Sequence, residues 1–171
     1  MNRTPTELES GARQYLGFHV GGESYGIPIL KVREIIEYGA VTKVPASPSW
    51  IRGVFNLRGS VVPVIDLAVK FGLDPSGVTR KSCIVVVEAE RAEGRVALGV
   101  MIDEVSSVLE YDAAQTERLP DFGTRVRREY LLGMGASAGQ KFVMLLDIDR
   151  VLSDDEIAEA RNAAEPGPAE A

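Results

Sequence analysis

With 171 residues, 45% of them apolar, and a formal net charge of −6, the chain can bury a sizeable core without staples, and its single cysteine excludes a disulfide within the chain. Residues 153–171 hold six acids against Arg161, so five of the six net charges lie there and the remainder is nearly neutral, which excludes the concentrated basic face of a general nucleic-acid binder. Arg125, Arg127 and Arg128 do cluster, but alternating with Thr124, Val126 and Glu129 they read as a solvated face.

Residues 1–13 read as a flexible segment with no apolar core of signal-peptide length, and no later run reaches the ~20 residues of a membrane span. A soluble, cytoplasmic protein without membrane insertion is expected. Residues 15–20 and 25–29, joined by Gly21-Gly22-Glu23-Ser24, read as a hairpin with a glycine turn. A short helical turn follows Ile29, and in Val32-Arg33-Glu34-Ile35-Ile36 some apolar members must pack inward and others stay outside. Two strand-forming runs flank the turn in Val54-Phe55-Asn56-Leu57-Arg58-Gly59-Ser60-Val61, and a short helix is expected over 66–71. Strands at 84–88 and 95–102 are joined by a polar connection near 90–94. Helix is expected near 125–131 and over 153–162, the latter capped by Ser153 with Glu156 as capping-box partner. Residues 165–171 are expected to be disordered. Pro28 and Pro63 each interrupt a strand-like run and belong at edges, bulges or strand starts, because proline has no N–H to donate.

The same apolar pattern occurs twice. Gly26-Ile27-Pro28-Ile29-Leu30-Lys31-Val32-Arg33-Glu34-Ile35-Ile36 lies over Gly99-Val100-Met101-Ile102-Asp103-Glu104-Val105-Ser106-Ser107-Val108-Leu109 at a constant offset. Ile51-Arg52-Gly53-Val54 then matches Leu131-Leu132-Gly133-Met134, Gly59 matches Gly139, and Asp66-Leu67 matches Asp147-Ile148. Repetition of this kind marks a duplicated unit. Two sets of short strands with glycine turns predict two small β-barrels sharing one apolar seam, since closure removes exposed edges; whether strands are exchanged between them stays open.

Chemistry is nearly absent. His19 is the only histidine and reads as a surface or satisfied strand residue, short of partners for general-base or metal work. Asp66 and Asp147 sit at the same point of each copy, after an apolar run and before a helical stretch, as N-caps do, and Asp103 reads the same way. Gly133-Met134-Gly135 with Gly139 lacks the lysine and hydroxyl of a phosphate loop. Cys83 opens the run Cys83-Ile84-Val85-Val86-Val87 and reads as a buried thiol. The copies differ at one turn: Asn56-Leu57-Arg58-Gly59 carries a cation where Ala136-Ser137-Ala138-Gly139 is bland. A turn needs the glycine but not the leucine or arginine, and an apolar residue beside an arginine on a hairpin has the composition of a recognition hot spot.

Tyr25-Gly26-Ile27, Lys31-Val32-Arg33-Glu34-Ile35, Ile51-Arg52-Gly53-Val54-Phe55-Asn56-Leu57-Arg58-Gly59, Val62-Pro63-Val64-Ile65-Asp66-Leu67 and Phe71-Gly72 closely resemble the bacterial chemotaxis coupling proteins of the CheW family, over roughly residues 14–152. The resemblance implies a mainly β fold of two pseudo-repeated, five-stranded SH3-like barrels packed together, with short helices and a C-terminal helix. Repeat one covers about 14–72 and repeat two about 82–152, with 153–171 an acidic helix and tail. It implies a non-enzymatic adaptor without cofactor or metal. Such an adaptor links the cytoplasmic tip of methyl-accepting chemotaxis receptors to the regulatory domain of a CheA-type histidine kinase, in arrays beneath the membrane. Carried onto matching positions, Arg58, Glu34, Val32, Asn56 and Val108 are receptor-side residues, and Val41 and Gly53 lie near the kinase-side surface. Pro28 stands where an aspartate is common in the family and Ala68 where an arginine is common. Two alternatives accompany this reading: the same role in a type IV pilus or gliding system, and a small-ligand-binding module. Truncation after Ser153 is expected to cost little.

Overall fold

The computed structural model describes residues 13–92, 94–112, 115–117, 128–136 and 142–164. Residues 1–12 and 165–171, the basic cluster at Arg125 and Arg127, and the matched Gly139 lie outside the described residues.

In chain order the described residues form β1 (Arg13–Val20), β2 (Glu23–Pro28), a 3-10 turn (Ile29–Lys31), β3 (Val32–Glu37), β4 (Ile51–Leu57), β5 (Ser60–Asp66) and helix α1 (Leu67–Lys70). There follow β6 (Cys83–Arg91), β7 (Gly94–Ile102), β8 (Glu104–Tyr111), the two-residue β9 (Thr116–Glu117), a 3-10 turn (Arg128–Tyr130), β10 (Leu131–Gly135), β11 (Val143–Leu146), α2 (Ile148–Val151) and α3 (Asp154–Ala164). Of the helix expected near 125–131, the described part is only that 3-10 turn, and Leu131 already belongs to β10.

Strands are exchanged between the copies. One sheet runs β8-β1-β2-β11-β10-β9 and the other β3-β6-β7-β5-β4. The β1–β2 hairpin of the first copy therefore sits among strands of the second, and the β6–β7 hairpin of the second sits among strands of the first. The joints are equivalent parallel pairs, with Gly26 opposite Leu145 and Gly99 opposite Val64. At the far edge β9 pairs with β10, and at the same place in the other sheet Thr42 makes an isolated bridge to Val54. Each sheet thus has five main strands, curled and closed by a short return segment, β9 in one and Thr42 in the other, in agreement with two barrels.

β6 shows why the run after Cys83 is continuously apolar. Ile84 and Val86 point into one barrel with Phe55, Val62, Val64 and Met101, whereas Val85 and Val87 point into the seam, so both faces are buried. The seam is the main core, where Phe18, Tyr25 and Ile27 of one sheet meet Ile65, Val100 and Ile102 of the other. Burial, with Glu23 nearby, pushes the Tyr25 hydroxyl up to about 12. Tyr15, Tyr111, Val143 and Leu145 fill the second barrel. Cys83 itself is only partly buried, at the start of the strand, where its thiol donates to the Lys81 carbonyl.

Pro63 obeys the edge rule in an unexpected way, because β5 lies inside its sheet. Thr42 exchanges both backbone hydrogen bonds with Val54, at 2.8 and 2.9 Å. The facing pair Val54–Pro63 is therefore not hydrogen-bonded, and the proline nitrogen turns toward β7, where the ladder begins only at Val64. Pro28 ends β2.

Asp66 and Asp147 are N-caps, accepting from the Ala68 and Asp149 amides. Asp103 is not; it sits between β7 and β8 and accepts from the Gly21 amide at 2.9 Å, tying down the β1–β2 turn. The capping box of α3 is formed, with Glu156 N–H donating to Ser153 Oγ at 3.1 Å and Ser153 N–H to Glu156 Oε1 at 2.9 Å. The helix is not a dispensable appendage, however. Ile157 and Ala160 are buried in the seam core, the helix packs on β4 and β5, and Glu156 pairs with Lys70, whose ammonium lies 5.7 Å from the Trp50 ring centre and 5.4 Å from that of Tyr130. A helix whose apolar stripe completes the core carries part of the stability, so truncation after Ser153 is expected to cost stability rather than little.

Candidate functional site

The β4–β5 connection is a two-residue turn, with Leu57 opposite Ser60 and positive φ at both central residues, Arg58 (49°) and Gly59 (91°). This is the type I′ geometry whose twist suits a hairpin. Glycine takes the second position without strain; an arginine in the first is held in a left-handed conformation at a cost of about 1 kcal/mol. Asn56 offsets part of that, since its Oδ1 accepts from the Gly59 amide at 2.8 Å. The turn favours Asn or Gly at this position, so its geometry does not call for the arginine side chain.

That side chain meets Glu34 of β3 fork to fork. Arg58 Nη1 lies 3.1 and 3.0 Å from Glu34 Oε1 and Oε2, and Nη2 lies 2.6 Å from Oε2. Arg58 is 69% exposed and Glu34 27%. So exposed a pair adds ~1 kcal/mol or less, but its bidentate geometry fixes where the guanidinium points. Glu34 is placed by a bulge between Val32 and Glu34 in the β3–β6 ladder, and Ile35 beside it is exposed.

Arg58, Glu34 and Asn56 are thus brought together at one tip. Val32 lies on the same β3 but is partly buried, packed against the seam core. Val108 is in the other sheet, on the edge strand β8 opposite Leu16, and is 55% exposed. It corresponds to Ile35 in the duplication, so each sheet shows a branched apolar residue at the same place on its edge. Val41 and Gly53 adjoin each other: Gly53 is a buried bulge residue at φ 152°, and a Cβ there would lie 2.8 Å from Val41 Cγ1. Gly133 is its twin, at φ 157° in the same bulge of β10. His19, on β1 opposite Glu104 and Ser24, is partly buried and belongs to none of these groups.

Sequence reasoning missed what else Asp66 does. Beyond capping α1 it is 1% exposed, accepts from the Ser76 amide at 3.2 Å, and pairs with Arg52 Nη1 at 3.3 Å. Arg52 in turn lies over the Tyr38 ring, 5.7 Å from its centre. The available signal was a second difference between the copies, Arg52 against Leu132. Among the described residues no group of three or more His, Cys, Asp or Glu is placed to hold a metal ion. Burial works to raise the Glu156 carboxyl, but hydrogen bonds from Lys70 and Ser153 outweigh it and hold the group below its usual range.

An exposed arginine oriented by a carboxylate thus stands at the tip of one of two exchanged barrels. Comparison with known proteins bears on whose it is: residues 14–156 match the family described as the CheW-like domain. The chain belongs to the CheW family. Chemotaxis protein CheW of Klebsiella aerogenes is 39% identical over 156 residues, 91% of this chain and 91% of that protein. Protein PilI of Pseudomonas aeruginosa is 29% identical over 106 residues, 61% of this chain and 57% of that protein. Among solved structures, the scaffolding protein TtCheW from Thermoanaerobacter tengcongensis aligns with a TM-score of 0.72 at 28% identity, covering 84% of this chain and 90% of that one. In this CheW-family chain no helix of the described residues is long and apolar enough to cross a membrane.

Proposed function

We propose that the protein is a non-enzymatic chemotaxis adaptor. It joins the cytoplasmic tip of methyl-accepting receptors, bound at the Arg58–Glu34–Asn56 tip with Val32 and Val108, to the regulatory domain of a CheA-type histidine kinase, bound around Val41 and Gly53. Family membership supports the role. The observation that carries the site is the bidentate Arg58–Glu34 pair on a turn that does not need the arginine. No bond is changed; a receptor's conformational state biases the kinase through contacts that differ between its two states. Many such contacts in an array beneath the membrane give avidity, so each can be weak.

The test is co-sedimentation with receptor-containing membranes and a CheA-type kinase, reading bound protein and kinase phosphorylation rate. Wild type should activate the kinase in a receptor-dependent way, and folded Arg58→Glu should not. Normal coupling by that variant would overturn the site. The similarity to PilI favours one second reading, the same adaptor role in a type IV pilus system; activation by a pilus-type kinase and not by a flagellar one would select it.

A further inference from the structure

Val41 stands between two hollows. One, of about 610 Å³, is largely apolar, with Ile36, Val54, Phe55 and Ile84 in its wall. The other, of about 660 Å³, is walled in part by Tyr38, Lys43, Ser47, Ser49, Arg52 and Asp66.

The charges of the second hollow do not cancel where a partner would meet them. Asp66 is turned inward, its Oδ1 accepting from the Ala68 amide at 3.1 Å and its Oδ2 from Ser76 and Arg52. Arg52, 24% exposed, is held by that contact, by stacking on Tyr38, and by Nε donating to Tyr38 Oη at 3.2 Å. Two of its five N–H donors are engaged this way, and the guanidinium is preorganised. Lys43 on the rim is exposed and makes no ion pair among the described residues. The surface of the hollow is therefore cationic over one buried carboxylate. Its wall is also constrained, with Ala46 at φ 60° and Ser47 Oγ donating to the Val44 carbonyl at 2.7 Å.

The duplication supplies an internal control. Leu132 replaces Arg52 in the second copy, yet Asp147 still caps α2 and the bulge at Gly133 still forms. Asp147 there takes Arg150 of its own helix instead, at 3.7 Å. Neither cap nor bulge requires an arginine on the strand.

We propose that this hollow is a carboxylate-recognition site in which Arg52 and Lys43 receive an acidic side chain of the protein that docks on Val41. Its identity as the regulatory domain of a CheA-type kinase rests on the reading above. The test is titration of that purified domain into wild type, Lys43→Glu, Arg52→Lys and Val41→Glu at two ionic strengths, with a thermal melt of each. Lys43→Glu should melt with wild type, bind about tenfold more weakly and lose most of the salt dependence. Arg52→Lys keeps a charge against Asp66 but loses the planar fork, and should bind several-fold more weakly. Folded Lys43→Glu and Arg52→Lys binding like wild type, with unchanged salt dependence and Val41→Glu alone defective, would overturn the carboxylate site and leave the adaptor reading standing. Wild type failing to bind the domain at all would overturn that reading and the proposal with it.

Discussion

Gly53 and Thr42 touch through their backbones: a Cβ at Gly53 would stand 2.9 Å from the Thr42 carbonyl carbon and closer still to its oxygen. Thr42 closes its barrel by pairing with Val54, so the contact and the closure are one feature. Gly53→Ala would have to push the return segment away while holding φ near 152°. A loss of about 2–3 kcal/mol is expected. Thermal denaturation checks it: at ~2–4 °C per kcal/mol for a chain of this size, a melting point within a degree of wild type would contradict the account.

Arg58→Glu sets two carboxylates face to face across the tip, and the exposed site should change stability by ~1 kcal/mol or less. The reversed pair, Glu34→Arg with Arg58→Glu, should recover that stability without recovering receptor coupling, because the partner meets the opposite charge. Urea unfolding and the coupling assay, run on the singles and the double, separate the two effects. Recovery of coupling in the double variant would mean that the pair acts only to hold β3 against the turn.

Removing residues after Ser153 uncovers the part of the seam closed by Ile157 and Ala160 and takes Glu156 from Lys70. Stability should fall by on the order of 3–5 kcal/mol. An unchanged urea midpoint for the truncated chain would show that the helix is not part of the cooperative unit.

The Glu156 carboxyl is depressed in the folded chain because hydrogen bonds from Lys70 and Ser153 outweigh the opposing effect of its burial. A carboxyl depressed on folding contributes stability that is fully present above its ordinary value of 4.5 and is lost as pH falls through the folded value. Wild type should therefore melt above Glu156→Gln at pH 7, and the gap should close in acid. A gap that is constant from pH 7 to pH 3 would contradict it.

Exchange of hairpins means that neither half can complete a barrel alone. Cleaving the chain genetically between Gly77 and Val78, in the stretch between α1 and β6, should give two fragments that lack cooperative unfolding separately and regain it when mixed. Circular dichroism melts of each fragment and of the mixture read this directly, and a cooperative melt of either fragment alone would count against it.

The duplication, the helix caps at Asp66 and Asp147, the capping box of Ser153 and Glu156, and the odd arginine of the turn were all legible in the residues. Each rests on local chemistry: a carboxylate before a helix, a hydroxyl three residues from a glutamate, a glycine that frees one turn position. The partner of that arginine was not legible as a contact, because Glu34 lies on another strand, 24 residues away in the chain. Strand exchange was hidden for a related reason. The pattern of β1–β2 and β6–β7 says that each hairpin must be buried but not against which copy, since the two copies offer equivalent edges and only closure of both barrels around a shared seam decides between them. The same holds for α3. Its acidic composition marks its solvent face, whereas its place in the fold is set by Ile157, Ala160 and the Lys70–Glu156 pair, which meet only when the seam is assembled.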